Sequence, residues 1–430
     1  MSRVPSFKIF RHQGYRHYWI ARQLIAAERQ MVAIAIGWQI YDLSRLTRSI
    51  EESAFMLGLV GLTQFVPVLL LSLPGGQAAD RFNRKLILVY SNIVRFFVIV
   101  SLLAASFAPA HVAIPAIFCA AFMTGVVSAF TPPAANSLYP RLIPRSELPL
   151  AIAWNSLGFL GAAVLGRAIG GFLFIGGAPL VYAVAAALTA LGVVMFATAQ
   201  TPPHEPVKNA RGLSMILEGL RYVRDNQLVL GSISLDLVVV FFGGVTALLP
   251  VFARDILHVG SEGLGFLRAA PAMGAGIVAF ALAANPLGRK VGPWLLAAIA
   301  IYGLAMIGFA LSELFWLSMA MLAVTGAADM VSMFIRQSII QHATPDGMRG
   351  RVSSVSFIFI AGSNELGEFE SGVAARFLGP VGAVLLGGAV SLVAAAAWLK
   401  LFPALSKADR FEGVEAPEEA QAGDEAAATR

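Results

Sequence analysis

Charged side chains recur inside stretches of this chain that are otherwise as apolar as lipid. Arg22, Glu28 and Arg29 interrupt the first such stretch, Arg95 the third, Arg167 the fifth, Asp236 the seventh, Asp329 and Arg336 the tenth, and Glu365, Glu368 and Glu370 the eleventh. An ion is costly at bilayer depth, so such groups face a bundle interior or a wet cavity and mark a path for substrate or protons. Glu365 and Glu368, three residues apart, share one face of a helix. Two carboxylates close together in a low dielectric cannot both stay ionised cheaply, which is the property a proton relay needs. The competing reading pins each carboxylate in a static contact with an arginine or a helix end. Glu370 points about 140° away from Glu365 on a regular helix and reads as structural.

The remaining charges divide between coupling and recognition. Asp236, flanked by Leu235 and Leu237, suits proton coupling and structural pairing equally. Asp329 and Arg336 are seven residues apart and nearly share an azimuth, since seven residues turn about 700°. They form either one salt-bridged rail or two separate contacts, and Asp329 is a proton-coupling candidate weighed against such pairing. Arg22 and Arg29 share a face of the first stretch, while Glu28, offset by about 100°, joins the coupling candidates or simply neutralises Arg29, because buried charges are normally paired. Arg22, Arg29, Arg167 and Arg336 are candidate cavity cations for an anionic or zwitterionic substrate. Trp154, with Phe159, Phe241, Phe242 and Phe357, is a candidate apolar lining, against the default of lipid or helix contact. Arg95 reads as a packing residue and Arg268 as one that snorkels to the outer interface.

Positioning these groups requires membrane-spanning helices. Hydrophobic residues make up 57% of the 430 and charged ones 13%, and the mean hydropathy is +0.74, too apolar for ordinary soluble domains. About 20 apolar residues cross a hydrocarbon core of roughly 30 Å as a helix. About twelve such segments are predicted, near 18–42, 54–76, 86–108, 112–134, 150–175, 178–199, 228–251, 264–284, 292–311, 314–338, 352–376 and 380–402. The alternation of a spanning β-barrel is missing. Lys and Arg crowd alternate loops, from Arg3, Lys8, Arg11 and Arg16 to Lys400, Lys407 and Arg410, which places both termini in the cytoplasm. The pI near 9.6 follows from this topology and requires no nucleic-acid partner.

The organisation is two-fold. Residues 1–200 are expected to form one six-helix bundle and 228–402 a second, pseudo-symmetric one, joined by a cytoplasmic linker, 201–227, that carries an amphipathic helix with Leu213, Ile216, Leu217, Leu220 and Val223 at helical spacing. Residues 403–430 read as a disordered tail. Asn136-Ser137-Leu138 through Pro144 is echoed by Gln337-Ser338-Ile339 through Pro345, and Asn83-Arg84-Lys85 by Gly288-Arg289-Lys290. Such echoes point to a parallel repeat of the kind found in transporters.

Gly76-Gln77-Ala78-Ala79-Asp80-Arg81-Phe82-Asn83-Arg84-Lys85, in the turn after the second segment, resembles the signature loop of the major facilitator superfamily. The resemblance implies a gating loop built on Gly76, Asp80, Arg81, Arg84 and Lys85, which latches the inward side and releases as the bundles rock. Asn83 stands where the family usually has glycine. Further stretches, Gly58-Leu59-Val60-Gly61-Leu62, Leu267-Arg268-Ala269-Ala270-Pro271, Arg349-Gly350-Arg351-Val352 and Ser363 through Gly372, are similar to the drug-efflux branch that includes siderophore exporters, the transmembrane secretion effectors. Antiporters of the superfamily often place a proline where Gly166-Arg167-Ala168-Ile169-Gly170-Gly171 has Arg167, so a kink is lost and a cation gained.

The resemblance implies export of a small amphipathic molecule across a bacterial-type inner membrane by proton antiport and alternating access, in a monomer with no cofactor. The partners expected are substrate, protons or another coupling ion, and the lipid bilayer. A proton-independent or importing carrier of a small anionic metabolite is the nearest alternative, and a non-transporting receptor or scaffold is the alternative from another class. An enzyme is disfavoured: the six histidines, His12, His17, His111, His204, His258 and His342, lie at termini or loops with no metal-like spacing. An ATP-driven pump is disfavoured because no phosphate loop of the Gly-x4-Gly-Lys-Ser/Thr type occurs.

Overall fold

Every ordered element is helical in a computed structural model that describes residues 7–203, 212–285 and 287–409. The expected tail is ordered at its start, where Pro403–Ser406 forms a helical turn that buries Leu405 in the core of the neighbouring helices; its residues beyond Asp409 lie outside the described ones, as do the side chains of Leu213, Ile216 and Phe357. A 3-10 turn, Phe7–Arg11, precedes α1 (Gln13–Ser44), α2 (Ile50–Arg81), α3 (Arg84–Ala105), α4 (Ala110–Leu138), α5 (Leu148–Leu173) and α6 (Ala178–Thr198). A short α7 (Gly212–Asp225) leads into α8 (Gln227–Phe242), α9 (Ser261–Ala284), α10 (Val291–Ala310) and α11 (Phe315–Ala343). The last long helical run, Asp346–Leu401, is broken where Gly379 takes φ +75°, giving α12 (346–378) and α13 (380–401).

Ten of the described stretches are long and apolar enough to cross a bilayer, with 346–401 contributing one window across its break. The first helix falls outside that set because Arg16, Arg22, Glu28, Arg29 and Asp42 dilute its apolar residues. Adding it, and dividing the last run at Gly379, gives the twelve expected spans. Their outward faces are apolar: Phe97, Phe280, Trp316 and Phe377 are each more than 60% exposed, an arrangement stable in lipid and untenable in water.

Helix starts follow local chemistry. Ser49 Oγ accepts the Glu52 amide at 3.2 Å while the Glu52 carboxylate accepts the Ser49 amide at 3.4 Å, a reciprocal cap for α2. Asn83 Oδ1 accepts the Lys85 amide at 3.0 Å, and Asn226 Oδ1 accepts the Leu228 and Val229 amides at 3.1 Å. The seventh segment differs from expectation: α8 stops at Phe242, and the path continues through a 3-10 turn, Val245–Leu248, and a π-helical turn, Phe252–Ile256. Gly243-Gly244 offers little helical propensity there, and Pro250 cannot donate a backbone hydrogen bond.

The chain divides into two compact units, Met1–Ala210 with Ala247–Ala269, and Arg211–Thr246 with Ala270–Arg430. In the first, α1 packs on α5 and α6, α2 on α4, and α3 on α4 and α6. In the second, α8 packs on the 346–401 helices, which also cover α10, and α10 packs on α11. The repeat shows in the closest crossings. Gly125 meets the Gln64 carbonyl and Gly75 the Ala129 carbonyl where α2 crosses α4; Gly274 meets Ala323 and Gly326 meets Pro271 where α9 crosses α11. A Cβ at any of these would force the helices apart. The turn after α5, at Gly177 with φ +88°, and the turn after α12, at Gly379, are likewise equivalent. The echoed loop motif is used unequally: Asn83 caps α3 with extended backbone, while in the second unit the cap is Lys290, held left-handed at φ +55°.

Candidate functional site

Among its described residues, unit 1 gathers charges at several separate places. Glu28 of α1 is fully buried and faces Arg95 Nε of α3 at 3.0 Å. Neither Glu28 oxygen receives a well-aligned hydrogen bond, so the contact is an ion pair carried by charge. One turn below Arg95, Asn92 is also buried and donates to the Leu88 carbonyl at 2.7 Å. Arg29 is exposed on another side of α1. Arg22, half-buried, donates from Nη1 to Tyr18 Oη at 2.8 Å and to Asn136 Oδ1 at 3.5 Å.

Arg167 of α5 acts as a bracket. Its Nε donates to Gln30 Oε1 of α1 at 2.9 Å and its Nη1 to the Arg268 carbonyl at 2.9 Å. Gly166 and Gly170 let α5 lie against Ala27 and Met31 of α1 on either side of it. Trp154 stands apart from these charges, in an aromatic cluster with Phe7, Phe10 and Trp19 at centroid distances of 4.9, 5.1 and 6.0 Å. There the 3-10 turn docks, fastened by Arg11 to Glu147 at 2.6 Å.

A further cluster, at the end of α1, has no counterpart among the sequence expectations. The Tyr41 hydroxyl donates to Asp255 and Arg254 pairs with Asp42, while Arg45 stands 3.9 Å from Asp255 and Arg254 lies 5.9 Å from the Tyr41 ring centroid. The π-helical turn aims Arg254 and Asp255 at the end of α1. The available signal is the complementary order of Tyr41-Asp42 and Arg254-Asp255.

In unit 2, Arg336 of α11 is forked. One nitrogen pairs with Asp236 of α8 and the other stands 3.8 Å from Asp329 of α11, while Nε donates to the Ser332 carbonyl at 3.3 Å. Asp236 and Arg336 are buried, whereas the Asp329 side chain is 54% exposed. On α12, Gly367 abuts the Val240 and Phe241 carbonyls of α8, which sets Glu368 about 100° and Glu365 about 160° around the helix from that contact. Both are half-buried and engaged in contacts of their own.

At the turn between α2 and α3, Arg84 is buried and donates to the Ala79 carbonyl at 3.1 Å, and Lys85 Nζ donates to the Ala199 carbonyl at 2.9 Å. Arg81 is exposed but has a partner. Gly76 has open space around its Cα. Asp80 makes no ion pair within 4 Å among the described residues.

Spanning helices in two repeated units, with ion pairs buried at membrane depth, define a polytopic membrane transporter. The chain belongs to the transmembrane secretion effector family of major-facilitator-type transporters, whose model matches residues 4–420. It is 26% identical over 347 residues to the enterobactin exporter EntS of Escherichia coli O1:K1 / APEC, covering 80% of this chain and 81% of that protein. The EntS of Shigella boydii serotype 18 is likewise 26% identical over the same shares. Among solved structures, a bacterial homolog of the human lysosomal transporter Spinster, inward-facing and occupied, aligns with TM-score 0.70 at 16% identity, covering 94% of this chain and 98% of that one. A bacterial homologue of the iron transporter ferroportin aligns with TM-score 0.67 at 15% identity, covering 92% and 99%. The relatives are transporters, and the chain is not an enzyme.

Proposed function

We propose that this protein exports a siderophore-like molecule, small and amphipathic with aromatic hydroxyl groups, across a bacterial inner membrane in exchange for protons. Both termini are cytoplasmic in this reading, and access alternates between the two sides. The observation that carries it is the forked Arg336, whose charge is already engaged by buried Asp236 while the Asp329 carboxylate beside it stays half exposed. A carboxylate in that position accepts either a proton or the hydroxyls of a bound substrate. Occupation by one excludes the other, which is the linkage an antiporter requires.

Asp236 has a different role: it holds Arg336 in place, because an arginine buried without a counter-ion is strongly unfavourable. Glu28 with Arg95 is the corresponding fixed pair of unit 1, and Arg22 and Arg29 present cations to an acidic substrate. Glu365 and Glu368 supply a further proton seat on α12. The kinship with proteins named enterobactin exporters supports a catecholate substrate.

Proteoliposomes loaded with a proton gradient and a catecholate siderophore test this reading. A gradient should accelerate transport by wild-type protein, and the Asp329→Asn variant should still exchange substrate across the membrane while losing the gradient's effect. Full gradient stimulation of Asp329→Asn would remove proton coupling from this carboxylate, and no catecholate transport by wild type would remove the substrate.

A further inference from the structure

The linker helix α7 keeps two faces with separate uses. One is docked on unit 2: Val223 is buried among Val229, Ile339 and Val355, Gly219 lies against the Arg351 carbonyl, Tyr222 donates to the Ala343 carbonyl, and Glu218 pairs with Arg351 at 2.7 Å. The other face consists of Leu217, Leu220, Arg221 and Arg224, spaced i, i+3, i+4 and i+7 and therefore aligned along one stripe. Leu217 is 57% and Leu220 43% exposed, and with the two arginines and Asp225 they border a recess of about 400 Å³.

Two exposed leucines beside two arginines make a short amphipathic stripe. Their position explains them. Only Asn226 separates the end of α7 from the start of membrane-spanning α8, so Arg224 lies within a turn of the start of that span and Leu217 within about three turns. The segment also belongs to the Lys/Arg-rich set of loops. Leucines at that depth reach the acyl boundary, and arginines beside them reach phosphates with their guanidinium forks.

We propose that the Leu217/Leu220/Arg221/Arg224 face of α7 is a docking surface for anionic phospholipid headgroups. Arg221 and Arg224 bind the phosphates and the leucines insert beneath them. Because the opposite face is tied to Arg351 at the start of α12, lipid binding holds the linker against the helix that carries Glu365 and Glu368.

The test uses the full-length protein with Cys119→Ser and Leu217→Cys, labelled with an environment-sensitive fluorophore and placed in nanodiscs. Discs of phosphatidylcholine alone are compared with discs containing about one third phosphatidylglycerol. With anionic lipid, the uncharged aqueous quencher acrylamide should quench the label several-fold less, as expected where two arginine contacts hold the helix at an anionic surface. In the same background Arg221→Gln with Arg224→Gln should abolish the difference between discs, and soluble glycerol phosphate should not reproduce the protection. Equal quenching in both discs, protection that survives loss of both arginines, or protection by free glycerol phosphate alone would overturn the proposal. None of these readouts depends on transport, so failure here leaves the exporter reading untouched and the reverse also holds.

Discussion

Glu28 of α1 is paired across the first unit with Arg95 of α3 at 3.0 Å, not with its sequence neighbour Arg29. Both partners are at least nine-tenths buried, which sets the consequence of breaking the pair. Removing one member strands an uncompensated charge, a loss of about 3–5 kcal/mol, whereas replacing both with apolar residues of similar volume is often neutral.

The first prediction follows directly. Arg95→Met alone should lower the thermal unfolding temperature of the detergent-purified protein strongly, and Glu28→Met with Arg95→Met should recover most of it. Equal damage from the single and double variants would show that the two residues do not act as a pair.

Asp236 and Asp329 touch the same arginine but are predicted to fail differently. Asp236→Asn leaves the buried guanidinium short of its counter-ion and should cost about 3 kcal/mol or more in stability. Asp329→Asn leaves Arg336 its closer partner, Asp236, and should cost distinctly less. Parallel thermal-shift measurements of the two variants check the contrast, and similar losses would count against the division of roles.

The turn carrying Arg254 and Asp255 is fastened to the end of α1 by Tyr41, Asp42 and Arg45, yet it is chain-continuous with α8 and α9. If the proposed alternation of access moves this turn with α8, the fastening opens once per cycle. Tyr41→Phe deletes one hydrogen bond to a charged group, worth about 1.5–3 kcal/mol, and should raise the population of the released state by about tenfold or more. A cysteine at Val259 on a Cys119→Ser background, tested with a membrane-impermeant thiol reagent, should label correspondingly faster in the Tyr41→Phe variant. An unchanged labelling rate would show that the fastening does not limit opening.

Asp80 has no ion pair to lose among the described residues, so Asp80→Asn should leave the unfolding temperature unaltered. If this carboxylate latches the inward side during the cycle, export turnover in proteoliposomes should nevertheless fall several-fold with substrate affinity little changed. Turnover equal to wild type would dismiss the latch.

What the sequence made legible, and what it hid, divides along physical lines. Apolar runs of about 20 residues show themselves because bilayer thickness imposes their length, and the repeat shows itself because Asn136 through Pro144 and Gln337 through Pro345 sit at matching places after α4 and α11. The rail between Asp329 and Arg336 was visible as one of two readings, since both lie on one helix. The stronger partner, Asp236, was not, because it reaches Arg336 across 100 positions of chain, and neither side chain advertises the other. Arg95 read as packing for the same reason: its counter-ion lies on another helix. Asn83, in a position where the family usually has glycine, is extended and serves as the cap of α3, a use to which asparagine is well suited.

Arg167 yields the last prediction, because the contacts of this residue reverse the inference its position invites. A proline there is common among antiporters of the superfamily, so Arg167→Pro looks like a restoration. In this protein the side chain ties α5 to Gln30 of α1 and to the Arg268 carbonyl, each at 2.9 Å, and the flanking Gly166 and Gly170 place the α1 backbone directly against α5. Proline would remove two charge-assisted hydrogen bonds and a helix-interior hydrogen bond, a combined loss of more than about 3 kcal/mol. It would also bend α5 where no space exists for the bend. Arg167→Pro should therefore reduce folded, monodisperse protein sharply, while Arg167→Lys, which keeps the charge but not the fork, should fold and show a smaller loss of stability. Size-exclusion profiles and thermal unfolding of the two variants decide the matter: a well-folded Arg167→Pro protein with wild-type stability would mean that the bracket contributes nothing.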